Sequence, residues 1–301
     1  MTTTPRVRLA TFNVLHGRPV RADGRPSRMT DLPAPELPLC DAVAALDADV
    51  VALQEVDRLQ ERSGRVDQAR AAARAVAAAD WRYASALHGH AILGRGWILD
   101  PSEPGLRVYG PDDARPDGGS PSHGVALLSR LPVRGWRAVR LGPGPFAVPL
   151  RIPGKRGLVV TRDRPRAALA AVLEGRRGPF TAVAAHLSTV PGWNVRQLLL
   201  LRRWIADLPR PHVLLGDLNL IGAIPRVALS AAELLTPLSD SGARQGSWRD
   251  TARLRTYPSH RPAVQFDHVL AIGVTPDGTG AARAPRSPIS DHRPLVVDLP
   301  L

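Results

Sequence analysis

Short apolar segments recur along the chain, and they predict more strands than helices. The stretches VRLATFNV (7–14), DVVALQEVD (49–57) and HVLLGDLNL (212–220) each carry an apolar run that leads into a polar tip. Runs of this length, bounded by turn residues, are typical of buried strands. The same pattern predicts strands at WRYASAL, HGVALLSR, VRGWRAVRL, RAALAAVLE, FTAVAAHLS, AVQFDHVLAI and PLVVDL.

Helical periodicity is confined to intervals between these strands. We predict helices around DAVAALDA (41–48), over DQARAAARAVAAAD (67–80), which Asp67 would cap, and over VRQLLLLRRWIAD (195–207). The Gly/Pro-rich interval 88–123 shows no period, so we predict a functional loop or a partly disordered insertion there. Because no repeat or linker divides the chain, we expect one domain over residues 1–301, with two packed sheets flanked by helices.

Composition favours a globular protein and limits the sites it can hold. Hydrophobic residues make up 44% of the 301 residues, and no apolar run reaches the roughly 18 residues of a membrane span. The first residues contain no apolar signal segment, so we expect a soluble, cytoplasmic protein. The single cysteine, Cys40, excludes an intramolecular disulfide and a cysteine-based zinc site. Any metal would therefore be held by oxygen and imidazole ligands.

A formal net charge of +13 is compatible with a polyanionic partner. However, Lys155 is the only lysine among the 40 basic residues, and the chain has 30 prolines, which indicates a compositional bias of the source genome. We therefore give the charge little weight as a sign of nucleic-acid binding. Arginines are dense between Arg130 and Arg177, where a basic rim would suit an anionic substrate; a solvated face of scattered arginines explains the density equally well.

Polar side chains recur where the predicted strands begin or end. An unpaired buried carboxylate costs on the order of several kcal/mol, so we expect these side chains to converge and find partners. A set of Asp, Glu and Asn side chains offers oxygen ligands, which suit Mg²⁺, Mn²⁺ or Ca²⁺. Mg²⁺ is commonly held by one or two carboxylates together with water and substrate phosphate. With two histidines added, the set indicates hydrolysis of a phosphate ester. It comprises Asn13, Glu55, His186, Asp217, Asn219, Asp267, Asp291 and His292.

Each of these motifs alone also has an ordinary structural explanation. Asn13 or Glu55 could simply end a strand, the GDLN segment could be a turn, and His186 could be a hydrogen-bonded core histidine. A nucleophilic serine has no support, because no G-x-S-x-G motif is present.

Seven motifs, taken in order, resemble the endonuclease/exonuclease/phosphatase superfamily, which has the deoxyribonuclease I-like fold. They are TFNVLHG, LQEVD, AAHLST, GDLN, TYPS, FDHVL and SDHRPL, and they run from Thr11 to Leu295. The resemblance implies an α/β fold, a four-layered sandwich of two mainly antiparallel sheets packed face to face with helices outside. It also implies phosphoester hydrolysis with Mg²⁺ or Mn²⁺.

The resemblance assigns three residues to the metal. Glu55 would be the main ligand, and Asn13 would ligate or orient the ion. Asp291 would contribute to the ion or to its water shell.

Five further residues receive catalytic roles from the resemblance. Asp217 would position or deprotonate the attacking water, and Asn219 would steady the scissile phosphate. His292, oriented by Asp267, would donate to a phosphate oxygen and stabilise charge in the transition state. His186 matches a histidine that many phosphodiesterase members use beside the leaving group or phosphate.

The chain departs from the superfamily pattern at three places. Ala185 precedes His186 where members often have Thr, and His268 follows Asp267 where an aromatic residue is common. The mid-chain Gly-Asn-Ala strand has only HGVALLSR as its counterpart. These departures bear on substrate choice more than on chemistry, because they remove no metal ligand.

Several functions remain open at this point. The leading one is a divalent-metal-dependent phosphodiesterase or nuclease; the alternative is a phosphatase or phospholipase acting on phosphoinositide or sphingomyelin-like lipids. A lipid enzyme would need an exposed apolar hairpin, for which the segment with Trp97, Ile98 and Leu99 is the candidate. A non-catalytic binding module is less expected, because the metal and catalytic residues are all present. We expect a monomer whose partner is a phosphate-ester substrate: a nucleic acid, a nucleotide or a phospholipid head group.

Overall fold

The protein is built on two β-sheets that pack face to face. The computed structural model describes residues 6–25, 27, 34–92, 96–103, 105–113, 119–150, 157–235, 246–274 and 281–301. The strands are β1 (Val7–Asn13), β2 (Val50–Arg58), β3 (Asp80–Ile92), β4 (Gly96–Leu99), β5 (Arg107–Tyr109), β6 (Ser122–Ser129), β7 (Val133–Leu141), β8 (Ala147–Leu150), β9 (Val159–Arg162), β10 (Arg166–Gly175), β11 (Gly178–His186), β12 (His212–Asp217), β13 (Arg249–Asp250), β14 (Asp267–Ile272), β15 (Ala282–Arg283) and β16 (Leu295–Leu299).

Both large sheets are mainly antiparallel, and each contains one parallel pair. The first sheet has the order β15-β16-β1-β2-β6-β3-β4, with β5 also paired to β3. The second has the order β13-β14-β12-β11-β10-β7, and β8 and β9 form a separate two-stranded sheet. The parallel pairs are β1 with β2 and β11 with β12. This arrangement confirms the predicted fold class.

Helices cover the outer faces of the two sheets. Leu9 and Val213 belong to the apolar cluster between the sheets. The helices α1 (Leu37–Ala44) and α2 (Gln68–Ala75) pack on the first sheet. On the second sheet lie α3 (Trp193–Trp204) and α4 (Ile224–Leu235). The layers therefore run helix, sheet, sheet, helix. No helix in the described part of the chain is long and apolar enough to cross a bilayer.

The helix predictions are confirmed for α2 and α3 and incomplete for the rest. The side chain of Asp67 accepts a hydrogen bond from the backbone N–H of Arg70 at 3.1 Å, so it caps α2 as predicted. The first helix begins at Leu37, four residues before the predicted start. The sequence analysis did not predict α4, which begins five residues after the GDLN segment.

The interval 88–123 is more regular than predicted. Strand β3 continues through it to Ile92, and both β4 and β5 pair antiparallel with β3. The expectation of an aperiodic loop is therefore wrong for these strands, whose pairing with a long neighbouring strand supplies the order that their short sequences do not. Residues 93–95, 104 and 114–118 of the interval lie outside the described residues.

The parallel pairs bring four strand ends to one edge of the sandwich. Asn13 at the end of β1 lies opposite Gln54 of β2, next to Glu55. His186 at the end of β11 lies opposite Asp217 at the end of β12, and Asp217 in turn lies opposite Asp267 at the start of β14. Side chains that are distant in sequence, such as those of Asn13 and Asp217, thus reach one edge of the fold because of the direction of their strands.

Gly216 allows this edge to form, and we expect its replacement by Ala to destabilise the protein. A Cβ at Gly216 would lie 1.9 Å from the backbone oxygen of Ala185, so one of two paired strands must shift. We expect Gly216→Ala to lower the free energy of unfolding by about 2–3 kcal/mol. Chemical denaturation measures this loss. Gly135→Ala is the matched control, because a Cβ there meets nothing within 4 Å; equal losses in both variants would contradict the close-approach explanation.

Candidate active site

Glu55 reaches the site through a β-bulge. The register between β2 and β6 shifts between Gln54 and Val56, so Glu55 is the extra residue of the bulge. Its φ of 55° lies in the left-handed region, which is costly for a residue with a side chain. Strain of this kind is commonly found where a bulge redirects a functional side chain. Here the bulge directs the Glu55 carboxylate toward the strand ends instead of into the sheet.

Asn13 connects the two sheets at this edge. Its Nδ2 donates to Glu55 Oε1 at 3.1 Å and to Asp217 Oδ2 at 2.9 Å, and its Oδ1 accepts from the backbone N–H of Leu15. Only 1% of the residue is exposed. The Asn13 side chain therefore holds the carboxylates of Glu55 and Asp217 at fixed positions relative to each other.

The loop before β16 places Asp291 beside Glu55. The hydroxyl of Ser290 donates to the backbone oxygen of Asn13 at 2.5 Å, and the backbone oxygen of Asp291 accepts from Ser259 N at 2.6 Å. Burial, followed by repulsion from Glu55, raises the pKa of Asp291, although His292 opposes the shift. The carboxylates of Glu55 and Asp291 repel each other, so this partly buried part of the site carries an excess of negative charge.

The donor set around Glu55 fits a divalent cation of the magnesium type. Burial penalises the Glu55 carboxylate, but the positive charge that His186, His123 and His16 carry when protonated and the hydrogen bond from Asn13 lower the pKa of Glu55 to about 2. The lowered pKa keeps Glu55 ionised at neutral pH. Carboxylate and amide oxygens without thiolates match Mg²⁺ or Mn²⁺. A cation would also relieve the repulsion between the Glu55 and Asp291 carboxylates.

His292 is held by a buried aspartate. Its Nδ1 lies 2.8 Å from Asp267 Oδ2, which also accepts from the Thr256 hydroxyl at 2.5 Å. The ring of Tyr257 packs against the imidazole with 4.9 Å between centroids. Burial alone would lower the pKa of His292, but Asp267, Asp217 and Asp291 raise it to about 10. His292 is therefore a cation at neutral pH, and its Nε2–H faces the site.

Asp217 lies between the two histidines. Its Oδ2 is 3.8 Å from Nε2 of His292 and 3.7 Å from Nε2 of His186, and its Oδ1 accepts from the backbone N–H of Asn219 at 3.0 Å. Burial raises the pKa of Asp217 to about 6, with repulsion from Asp267 adding to the rise and His292 opposing it. At neutral pH the group is an ionised carboxylate whose proton affinity is higher than usual, as a general base requires.

Asn219 is fixed next to Asp217 by a left-handed turn. Its φ is 50°, and its side-chain Nδ2 donates to the backbone oxygen of Leu187 at 3.0 Å. The Asn194 amide in turn donates to the backbone oxygen of Asn219 at 2.8 Å. One Nδ2 hydrogen of Asn219 is thus used in holding the turn against β11, which leaves the second for another acceptor.

His186 meets an arginine that sequence reasoning did not single out. Nη1 of Arg166 lies 3.1 Å from Nδ1 and 3.3 Å from Nε2 of His186, and because the guanidinium can only donate, a ring nitrogen of His186 accepts. Burial and the positive charge of Arg166 hold the pKa of His186 well below its usual value. The two histidines therefore differ in charge: His186 is neutral and His292 is a cation.

We expect the charge of His292 to depend on Asp267. In the metal-free protein the His292 ring should titrate near pH 10, and in Asp267→Asn its pKa should fall by roughly 1–3 pH units, because an ionised partner is lost while burial remains. Nitrogen-15 NMR of the imidazoles, assigned with His292→Gln, measures both values. The surface variant Asp298→Asn should leave the His292 titration unchanged, and an unchanged titration in Asp267→Asn would refute the pairing.

The structure brings all eight predicted residues to one edge of the sandwich, and it adds others. Asp217, Asp267 and His292 also form a compact group, with one potential ligand atom of each within 4.8 Å of the others, but Nδ1 of His292 is hydrogen-bonded to Asp267, so only its Nε2 is open to an ion. The TYPS motif pointed to two of the added residues. Arg166 lies in the arginine-dense segment and Trp97 in the apolar segment that the sequence indicated, whereas Arg62 and His123 carry no sequence signal. The added residues are Arg62, Trp97, His123, Arg166, Thr256 and Tyr257.

The chain matches one known protein family and is similar in fold to several solved structures. The model of the Endonuclease/Exonuclease/phosphatase family matches residues 10–292. A structure of an endonuclease/exonuclease/phosphatase from Bacteroides vulgatus is 16% identical, with a TM-score of 0.58 and 98% of each chain covered. One from Beutenbergia cavernae DSM 12333 is 22% identical, with a TM-score of 0.54, 98% of this chain and 71% of the other covered. A mannosyl-6-phosphatase from Bacteroides thetaiotaomicron VPI-5482 is 15% identical, with a TM-score of 0.52, 97% of this chain and 99% of the other covered. No curated protein matches the chain.

Proposed function

The chain belongs to the endonuclease/exonuclease/phosphatase family of phosphoester hydrolases, and we propose that it hydrolyses phosphodiesters with the help of one or more divalent cations, Mg²⁺ or Mn²⁺. The observation that carries this proposal is the meeting of Glu55, Asn13 and Asp217 across the two sheets, with both histidines at the same edge. Substrates of this class include nucleic acids and nucleotides.

Glu55 and Asp291 are the residues that would hold the cation, and Asn13 would orient Glu55, because its Nδ2 faces that carboxylate while its Oδ1 accepts from the Leu15 N–H. When bound, a divalent cation supplies Lewis-acid stabilisation of charge on the phosphoryl oxygens. The chain contributes the fixed ligands: Asn13 is bonded to Glu55 Oε1, and the Ser290 hydroxyl ties the Asp291 loop to β1. This support keeps the ligands in place before a substrate arrives.

The remaining residues divide the proton and charge chemistry between them. Asp217 would accept a proton from the attacking water, since its carboxylate is ionised at neutral pH and its pKa is raised to about 6. His292, a cation held by Asp267, would donate a hydrogen bond to the phosphate as negative charge develops. His186 is neutral and sits with Arg166 on the other side of Asp217, where it suits the leaving group.

A cation screen with Glu55→Gln tests the proposal. We expect hydrolysis of bis(4-nitrophenyl) phosphate to require Mg²⁺ or Mn²⁺, to stop on addition of EDTA and to return with excess cation. Glu55→Gln should raise the cation concentration needed for half-maximal rate by roughly 10–100-fold or abolish activity, because a charged ligand is lost. Glu61→Gln, at an exposed position of the same segment, is the matched control and should behave as the wild-type protein.

A cation-independent rate in the wild-type protein would contradict the proposal. So would a Glu55→Gln variant that melts at the wild-type temperature and keeps the full rate at the same cation concentration.

A phospholipid esterase is the second candidate function. One feature of the surface beside the site, the exposed apolar side chains of β4, favours it. Ile98 and Leu99 of β4, which pairs with β3, are 60% and 50% exposed, so this strand offers two apolar side chains of the kind a lipid enzyme would use. Trp97 is turned inward, with its ring 5.7 Å from that of His123. Rates on plasmid DNA and on sphingomyelin or phosphoinositide vesicles separate the two candidates; a preference for vesicles that Ile98→Ser removes would favour the lipid enzyme.

A further inference from the structure

A cavity of about 210 Å³ opens beside the active site, and we call it the basic pocket. Glu55 and His186 form the wall that it shares with the active site. Arg62, Arg164 and Arg166 contribute three guanidinium groups to its lining. The volume is many times the roughly 10–15 Å³ that one water needs, so the pocket has room for a polyatomic group.

Arg62 is fixed in the pocket by a buried carboxylate. Its Nε and Nη2 each lie 2.8 Å from one oxygen of Asp57, and Nδ1 of His123 lies 2.7 Å from Asp57 Oδ1. The Trp97 ring packs on both partners, 5.3 Å from the Arg62 guanidinium carbon and 5.7 Å from the His123 ring. Nη1 of Arg62 makes no hydrogen bond within the described part of the chain. The arginine is therefore oriented in advance and keeps a donor for a ligand.

The positive charge of the basic pocket is not balanced by the described residues. Asp57 compensates one of the three guanidinium groups. Arg164 makes no hydrogen bond or ion pair to any residue that the structure describes, and the buried Nε of Arg166 likewise has no partner there. Glu55 faces the pocket too, but its charge belongs to the cation site. Buried donors without partners are costly, and guanidinium groups bind carboxylate and phosphate groups with matching geometry, of which phosphate is the one that a phosphoester substrate carries.

We propose that the basic pocket binds a second phosphate group of the substrate, next to the phosphate that is hydrolysed. The inference rests on the proposed function, because Glu55 and His186 set the position of the scissile phosphate. The basic pocket shares a wall with the active site. A substrate that reaches from Glu55 and His186 to Arg62 and Arg164 must therefore carry its two phosphate groups only a few bonds apart. Trp97, together with Leu87 and Val125, offers an apolar side for the carbon atoms that link them. The substrate class is thus a compact phosphoester with a neighbouring terminal phosphate.

A matched pair of esters tests the second-phosphate site. One is the 4-nitrophenyl phosphodiester of ethylene glycol monomethyl ether, which has no free hydroxyl to attack its own phosphorus, and the other carries a phosphate in place of the methyl group. The release of nitrophenol in the presence of Mn²⁺ measures cleavage of the same bond in both esters. We expect kcat/KM to be roughly tenfold higher for the phosphorylated ester, and Arg164→Gln to remove most of this ratio. Arg203→Gln, an exposed arginine on α3, removes the same charge far from the pocket and should keep the ratio.

Phosphate binding to the metal-free protein gives an independent readout. In a titration with inorganic phosphate followed by NMR, the Trp97 indole signal, assigned with Trp97→Phe, should shift. Arg164→Gln should need about tenfold more phosphate for the same shift, and Arg203→Gln the wild-type amount. A static Trp97 signal together with equal rates on the two esters would overturn the second-phosphate site while leaving the proposed function intact. A moving Trp97 signal without hydrolysis of either ester would support anion binding in the pocket and contradict the proposed function.

Discussion

Replacing Asp217 with Asn is expected to lower kcat for bis(4-nitrophenyl) phosphate by roughly 10²–10⁴-fold. The substitution keeps the side-chain shape but removes the group that would take the proton from water. It also places an amide opposite the Asn13 amide, which now donates to Asp217 Oδ2 at 2.9 Å. Steady-state rates in saturating Mn²⁺ measure the loss, and a thermal melt of each variant separates it from unfolding.

Asp298→Asn is the matched control for Asp217→Asn. Asp298 lies in β16 and pairs with Arg8 at the protein surface, so its loss should change kcat by less than about twofold. An Asp217→Asn protein that is folded and retains kcat within a factor of three would show that another group accepts the proton.

Replacing His292 with Gln is expected to lower kcat by roughly 10²–10³-fold, the loss typical of one donor aimed at developing negative charge. His292 is the only cation that the described residues place within 4 Å of Asp217, because His186 is neutral. The exposed His260→Gln is the matched control and should have the wild-type rate.

A double-variant cycle tests whether His292 and Asp267 act as one unit. Once His292 is replaced by Gln, the further change Asp267→Asn should cost little, since the 2.8 Å bond between them no longer exists. If the two losses multiply in the double variant instead, Asp267 has a role that does not pass through His292.

The sequence predicted the layers and the polar edge because both follow from local patterns. Apolar runs that end in Asn13, His186 or Asp217 mark strand ends, and the parallel pairing of β1 with β2 and of β11 with β12 then brings these ends together. The roles of the residues came from the resemblance to the family.

What the sequence could not predict depends on side-chain geometry. Nothing in the DVVALQEVD pattern shows that Glu55 lies in a bulge with a left-handed φ, which depends on the register between β2 and β6. Arg62 and His123 share Asp57 although 61 residues separate them. Their contact exists only because β2 pairs with β6, so the basic pocket is a property of the sheet and not of any motif.

The position of a bound cation shows whether Glu55 is the metal ligand. In a crystal of the protein soaked with Mn²⁺, we expect an anomalous peak at coordination distance, roughly 2–2.6 Å, from a carboxylate oxygen of Glu55, with Asp291 and Asn13 around it. A peak enclosed instead by Asp217, Asp267 and His292, or no peak at saturating Mn²⁺, would contradict this assignment.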